Sequence, residues 1–172
     1  MTVLPVARTS DEAYVYLDLT PCGDCGATET EWEHGLAQVE GELVAAYSGT
    51  CEKCSTAREY LFRLPAREHA GADPNFGGAE PSVLVDPGQW LDVADQLMSV
   101  VPTDDPAAAG IMTRFAVAAV AEVLKFVPAG ADAVPADRFW TEAGRRVYDL
   151  QPGRFRRDRL QVVLETYEGR LS

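Results

Sequence analysis

The sequence predicts an α+β protein, with an antiparallel sheet first and three or four helices packed on it. Three observations carry that expectation. Cys22 and Cys25, then Cys51 and Cys54, form two CxxC pairs, and the chain has no other cysteine. Between and around those pairs apolar residues alternate with polar ones, the period of a strand. From residue 86 onward the apolar spacing lengthens to three and four residues, the period of a helix.

Four strands are expected in the first third. Residues 13–19 place Val15, Leu17 and Leu19 on one side. Residues 29–39 and 42–50 form a hairpin through Glu40-Gly41, a short polar turn containing glycine. With a two-residue loop, Leu36 opposes Ala45, His34 opposes Tyr47, and Thr30 opposes Cys51. Trp32, His34 and Leu36 then share a buried face with Leu43, Ala45 and Tyr47, while Glu29, Glu31 and Glu33 line the other. Residues 56–64 supply a last strand carrying Tyr60, Phe62 and Leu64.

The same register returns the second cysteine pair beside the first, so Cys22, Cys25, Cys51 and Cys54 are expected to ligate one metal ion. Four thiolates at this spacing suit one structural zinc and leave no open coordination position for catalysis. Iron, two disulfides and a redox pair are the alternatives. Disulfides are disfavoured because MTVLPVARTS lacks the basic and apolar stretches of a secretory signal, which points to a cytoplasmic chain.

Through CGDCG at residues 22–26 and CEKC at residues 51–54, the segment 13–64 resembles the zinc-ribbon class. The resemblance implies turns whose backbone N–H groups point at the thiolates. A glycine commonly follows the second cysteine of each pair; Gly26 fits and Ser55 departs. Zinc ribbons serve in transcription, translation, enzymes and scaffolding, so the likeness implies metal and not activity. FGGAEPS at residues 76–82 and PGRFRRDRL at residues 152–160 resemble uncharacterised actinobacterial proteins, which imply no activity either.

The expected organisation is a sheet unit over residues 1–64, a connecting loop over 65–85 and a helical part over 86–172, sharing one core. The loop is rich in Ala, Gly and Pro. His69 and Asp73 within it could form an acid–base pair, but no nucleophile is placed beside them, and a surface loop is expected. His34, opposite Tyr47, is expected as a hydrogen-bonded core residue.

Asp86-Pro87 with Gln89 reads as an N-cap, a first-turn proline and a capping-box partner. Trp90, Leu91, Ala94 and Leu97 continue that helix toward Pro102. Asp105-Pro106 opens a second helix to about Val127, apolar enough to be central to the core. Its apolar run is shorter than a bilayer requires, so no membrane span is expected. Thr141 caps a short third helix, and the last runs from about residue 155 to 171.

The net charge of −12 is unevenly placed. Residues 1–64 carry 4 basic and 11 acidic groups, residues 65–102 carry 1 and 6, and residues 103–172 carry 10 of each. Phosphate binding depends on Lys and Arg, so an acidic ribbon argues against nucleic acid. Arg154, Arg156, Arg157 and Arg159 form a local exception at the start of the last helix, where the macrodipole is already positive. They are expected either to pair internally, with the ribbon or with Asp149 and Asp158, or to bind an anion.

The leading functional expectation is a non-enzymatic, zinc-stabilised module that presents Glu29, Glu31 and Glu33 to a basic protein, as an inhibitor or immunity-type protein would. A nucleic-acid-associated or regulatory protein using the arginines is the second. An enzyme acting on a small anion beside them is the third, although no Gly-rich phosphate loop, HExxH pair or GxSxG elbow is present.

Overall fold

The computed structural model describes residues 3–172. It is α+β, built on a three-stranded antiparallel sheet of order β1-β2-β3, with β1 Thr30–Val39, β2 Glu42–Cys51 and β3 Ala57–Arg63. The β1–β2 register pairs Leu36 with Ala45, His34 with Tyr47 and Thr30 with Cys51, as the alternation predicts. Glu40 and Gly41 both take positive φ, 50° and 86°. That is the conformation whose twist matches a two-residue hairpin.

Residues 13–19 are not a strand, and among the described residues the sheet has three strands instead of four. They belong to helix α1, Ser10–Leu19. Thr9 caps it by accepting a hydrogen bond from the Glu12 backbone N–H at 3.1 Å, and Asp11 and Glu12 sit in the first turn, where the helix dipole favours acids. Ala13 and Leu17, four residues apart, are fully buried. Tyr14 and Tyr16 are the polar half of the apparent alternation, yet both pack inward. Tyr14 meets Tyr47 edge-on at 5.3 Å, and Tyr16 meets Phe62 at 5.7 Å.

Those tyrosines also change what covers the sheet. Through Tyr14 and Tyr16 its inner face packs on α1. Toward the hairpin tip, Leu36 and Leu43 are 62% and 54% exposed. His34 is exposed as well, stacked on Tyr47 with ring centroids 4.5 Å apart.

The remaining helices are α2 Pro87–Ser99, α3 Pro106–Leu124, α4 Glu142–Leu150 and α5 Arg157–Gly169, with short 3-10 turns at Ala136–Arg138 and Pro152–Phe155. The predicted Asp86–Gln89 capping box forms in both directions. Helix α3 is long and apolar enough to cross a bilayer by length and composition. Here it packs against α2 and α5. Its Glu122 is buried and paired to Arg8 and Lys125.

Arg8 ties the parts together. It is nearly buried and binds Glu12 of α1, Glu122 of α3 and the Glu80 carbonyl of the connecting loop. Gly77, at a φ of 132°, lies so close that a Cβ there would stand 2.8 Å from the guanidinium. Buried apolar residues form one connected cluster from Ala7 through Tyr47, Phe62 and Phe76 to Trp90, Phe126 and Leu160.

Candidate metal centre

The two CxxC segments fold as matching knuckles. In the first, the Gly26 N–H donates to the Cys22 carbonyl at 2.8 Å, and the Cys22 N–H donates to the Ala27 carbonyl at 2.7 Å. In the second, Ser55 donates to Cys51 and Cys51 to Thr56, each at 2.9 Å. Gly26 and Ser55 both adopt left-handed φ, 76° and 62°. Ser55 therefore meets the same backbone demand as glycine, at a cost of roughly 1 kcal/mol.

The β1–β2 register brings the knuckles together. Cys22 and Cys54 Sγ lie 3.7 Å apart, Cys25 and Cys51 Sγ lie 3.5 Å apart, and all four sulfurs fall within 4.8 Å of one another. A tetrahedron of metal–thiolate bonds near 2.3 Å has edges of about 3.8 Å. The sulfurs thus have the spacing of one four-thiolate ion. Cys22 and Cys51 are buried and Cys54 faces solvent.

The thiols are not equivalent. A hydrogen bond from Ala27 pulls the Cys25 thiol down, but burial and hydrogen bonds with Cys54, Cys51 and Cys22 outweigh it and push it up to about 12. Thr56, through its side chain and backbone, lowers Cys54 to about 6. The Thr56 hydroxyl, in contact with Cys54 Sγ at 3.3 Å, donates to Asp24 at 2.7 Å, which links the second knuckle to the first.

Arg58 closes the inner side of this region. It is 7% exposed, lies over the Trp32 ring at 4.8 Å, and donates to Thr30 Oγ1 and to the Thr20 carbonyl at the end of α1. A cation at a helix C-terminus is favoured by the dipole.

Glu29, Glu31 and Glu33 are all exposed. Glu31 and Glu33 line a groove of about 690 Å³ that runs over β1 and β2 to the second knuckle, where Glu52 joins them. Among the described residues no Lys or Arg lines it. Glu29 lies instead beside Asp18 and Glu52 in a separate hollow. Glu52 was not singled out in the sequence; its place inside the CEKC turn was the available signal, since the returning knuckle must lie next to β1.

The four arginines divide. Arg154 forms a two-pronged ion pair with Asp95 of α2, both bonds 2.7 Å. Arg156 pairs with Asp158, which lowers the Asp158 carboxyl. Arg157 turns away and donates to the Ala131 and Pro128 carbonyls. Arg159 has no side-chain ion pair among the described residues. Internal pairing thus uses Asp95 and Asp158; among the described residues neither Asp149 nor the sheet unit supplies a partner.

His69 packs its ring against Gly78, and no hydrogen bond joins it to Asp73 among the described residues. His69 and His34 both border a smaller cavity at the start of α1, with Tyr47. Burial there, with Tyr14 and Asp11 adding to it, pushes the Tyr47 hydroxyl up to about 12, so it stays protonated. No protein-family model, curated protein or solved structure matches this chain.

Proposed function

We propose that this chain is a non-enzymatic protein-binding module, stabilised by one zinc ion and recognising a basic partner through the acidic groove beside the metal knuckles. The observation that carries the reading is the groove itself: Glu31, Glu33 and Glu52 converge on it with no basic residue to neutralise them. Carboxylates so placed steer the approach of a cationic surface and select its register. Small size and a net charge of −12 suit an inhibitor or immunity-type protein that covers a basic protein.

Zinc is the proposed ion because four thiolates from paired knuckles complete its tetrahedron, leaving it a folding role. Free cysteines held as metal ligands suit a reducing, cytoplasmic setting. The nucleic-acid reading has less support, since Arg154 is committed to Asp95 and Arg157 to backbone carbonyls.

The experiment is titration of a cationic protein partner, identified by co-purification, against the wild type and an E31K/E33K/E52K variant at 50 and 300 mM salt. The reading expects association to slow with salt in the wild type and to fail in the variant, whose fold is checked by circular dichroism. Binding that survives the triple reversal overturns it.

A further inference from the structure

We propose that the cavity between α2 and the start of α5 is a binding site for a small organic monocarboxylate with a short apolar body. The cavity has a volume of about 630 Å³, within the range of small-molecule sites. Its floor is apolar, made by Leu91, Leu160 and Val163, and Arg154, Arg156 and Arg159 stand on its walls. An apolar floor below a few cationic groups is the complement of an amphiphilic anion.

The charge balance sets the ligand's valence. Asp95 engages Arg154 through both oxygens, and Asp158 engages Arg156. Arg159 makes no side-chain ion pair among the described residues, so its guanidinium is the one on the cavity wall open to an added carboxylate, while Asp158 beside it and Asp92 near Arg154 keep the surroundings from favouring more than one negative charge. One carboxylate can pair with Arg159, whereas the several charges of a polyanion such as a nucleoside triphosphate would be repelled by Asp158 in the same lining. The guanidinium fork of Arg159 matches a carboxylate's two oxygens. The Arg154–Asp95 pair acts at one remove, by tying the Pro152–Phe155 turn to α2 and so holding one wall of the cavity in place.

The test is calorimetric titration of the metal-loaded full chain with octanoate, hexanoate, acetate and octanol. Octanoate should bind more tightly than hexanoate, and acetate and octanol should bind at least tenfold more weakly than octanoate. R159Q, a change at an exposed side chain, should weaken octanoate on the order of tenfold while leaving octanol unchanged. V163F should fill the cavity and abolish binding of octanoate; thermal unfolding confirms that both variants are folded. Three outcomes would each overturn the proposal: no octanoate binding at millimolar concentration, octanol binding as tightly as octanoate, or full octanoate affinity in R159Q.

Discussion

Asp86 and Thr141 are joined by two hydrogen bonds to one carboxylate oxygen, from the Thr141 backbone N–H at 2.9 Å and from its hydroxyl at 2.6 Å. The other Asp86 oxygen caps α2 by accepting from the Gln89 N–H at 3.0 Å. Thr141 in turn caps α4, accepting from the Gly144 N–H at 2.9 Å. One fully buried carboxylate therefore sets the start of two helices at once.

That double duty makes Asp86 a sensitive polar residue in the helical part. Asp86→Ala removes three accepted hydrogen bonds and leaves buried donors unsatisfied, at a cost on the order of 3 kcal/mol. A melting temperature roughly 10 °C lower is the expected readout. Gly144→Ala should be comparably damaging, because a Cβ there would stand 1.9 Å from Asp86 Oδ1. If either variant melts like the wild type, the linkage is not a source of stability.

Ser55 offers the opposite case, a residue whose backbone is strained while its neighbourhood is open. At a φ of 62° it repeats the conformation that Gly26 adopts without a Cβ penalty. Ser55→Gly should relieve that strain and stabilise the metal-bound protein by about 1 kcal/mol, less the extra freedom glycine gains when unfolded. Denaturant titration at saturating metal measures it; a loss of stability would show that the serine side chain contributes more than its backbone costs.

How much of this was readable in the sequence differs by element. The hairpin register was legible because Gly41 marks the turn and two cysteine pairs must meet at the other end. Helix α1 was not, because Val15, Leu17 and Leu19 mimic strand alternation. The decisive signal was polar: Thr9 followed three residues later by Glu12, a helix-start pattern. The Asp86–Gln89 box could be read locally, but its bonds to Thr141 depend on how distant helices pack. The same holds for Arg154, whose partner Asp95 sits on another helix and not among its chain neighbours.

Removing the metal should unfold the knuckles before the helices. Structural zinc contributes on the order of 10 kcal/mol of apparent binding energy in small peptides, and protons compete for the thiolates as pH falls. A chelator should therefore raise amide exchange across residues 22–56 while Trp90, Val120 and Leu160, buried in the helical core, hold nearby amides protected. Elemental analysis should give one zinc per chain before chelation, with four thiols titrating in denaturant. Unchanged exchange after the ion is gone would mean that the knuckles fold without it.

Asp18 supplies the pH test. It lies in the last turn of α1, where the dipole disfavours an acid, and although its side chain is exposed, partial desolvation raises its carboxyl above the ordinary value. A carboxyl raised in the folded state holds its proton more tightly there than in the unfolded chain. Its favourable contribution is therefore present below the unfolded pKa and disappears as pH rises through the folded one. At neutral pH the charge is a small liability, shared with Glu29 and Glu52 on the rim of the same hollow. Asp18→Asn should accordingly raise stability at pH 7 by less than about 1 kcal/mol, as expected for a solvent-screened site. The gain should shrink to nothing as pH falls below the carboxyl's ordinary range. Paired melts of the variant and wild type from pH 7 down to 3.5 read this directly. A gain that persists at the acid end would assign the effect to hydrogen bonding by the amide instead of relief of charge.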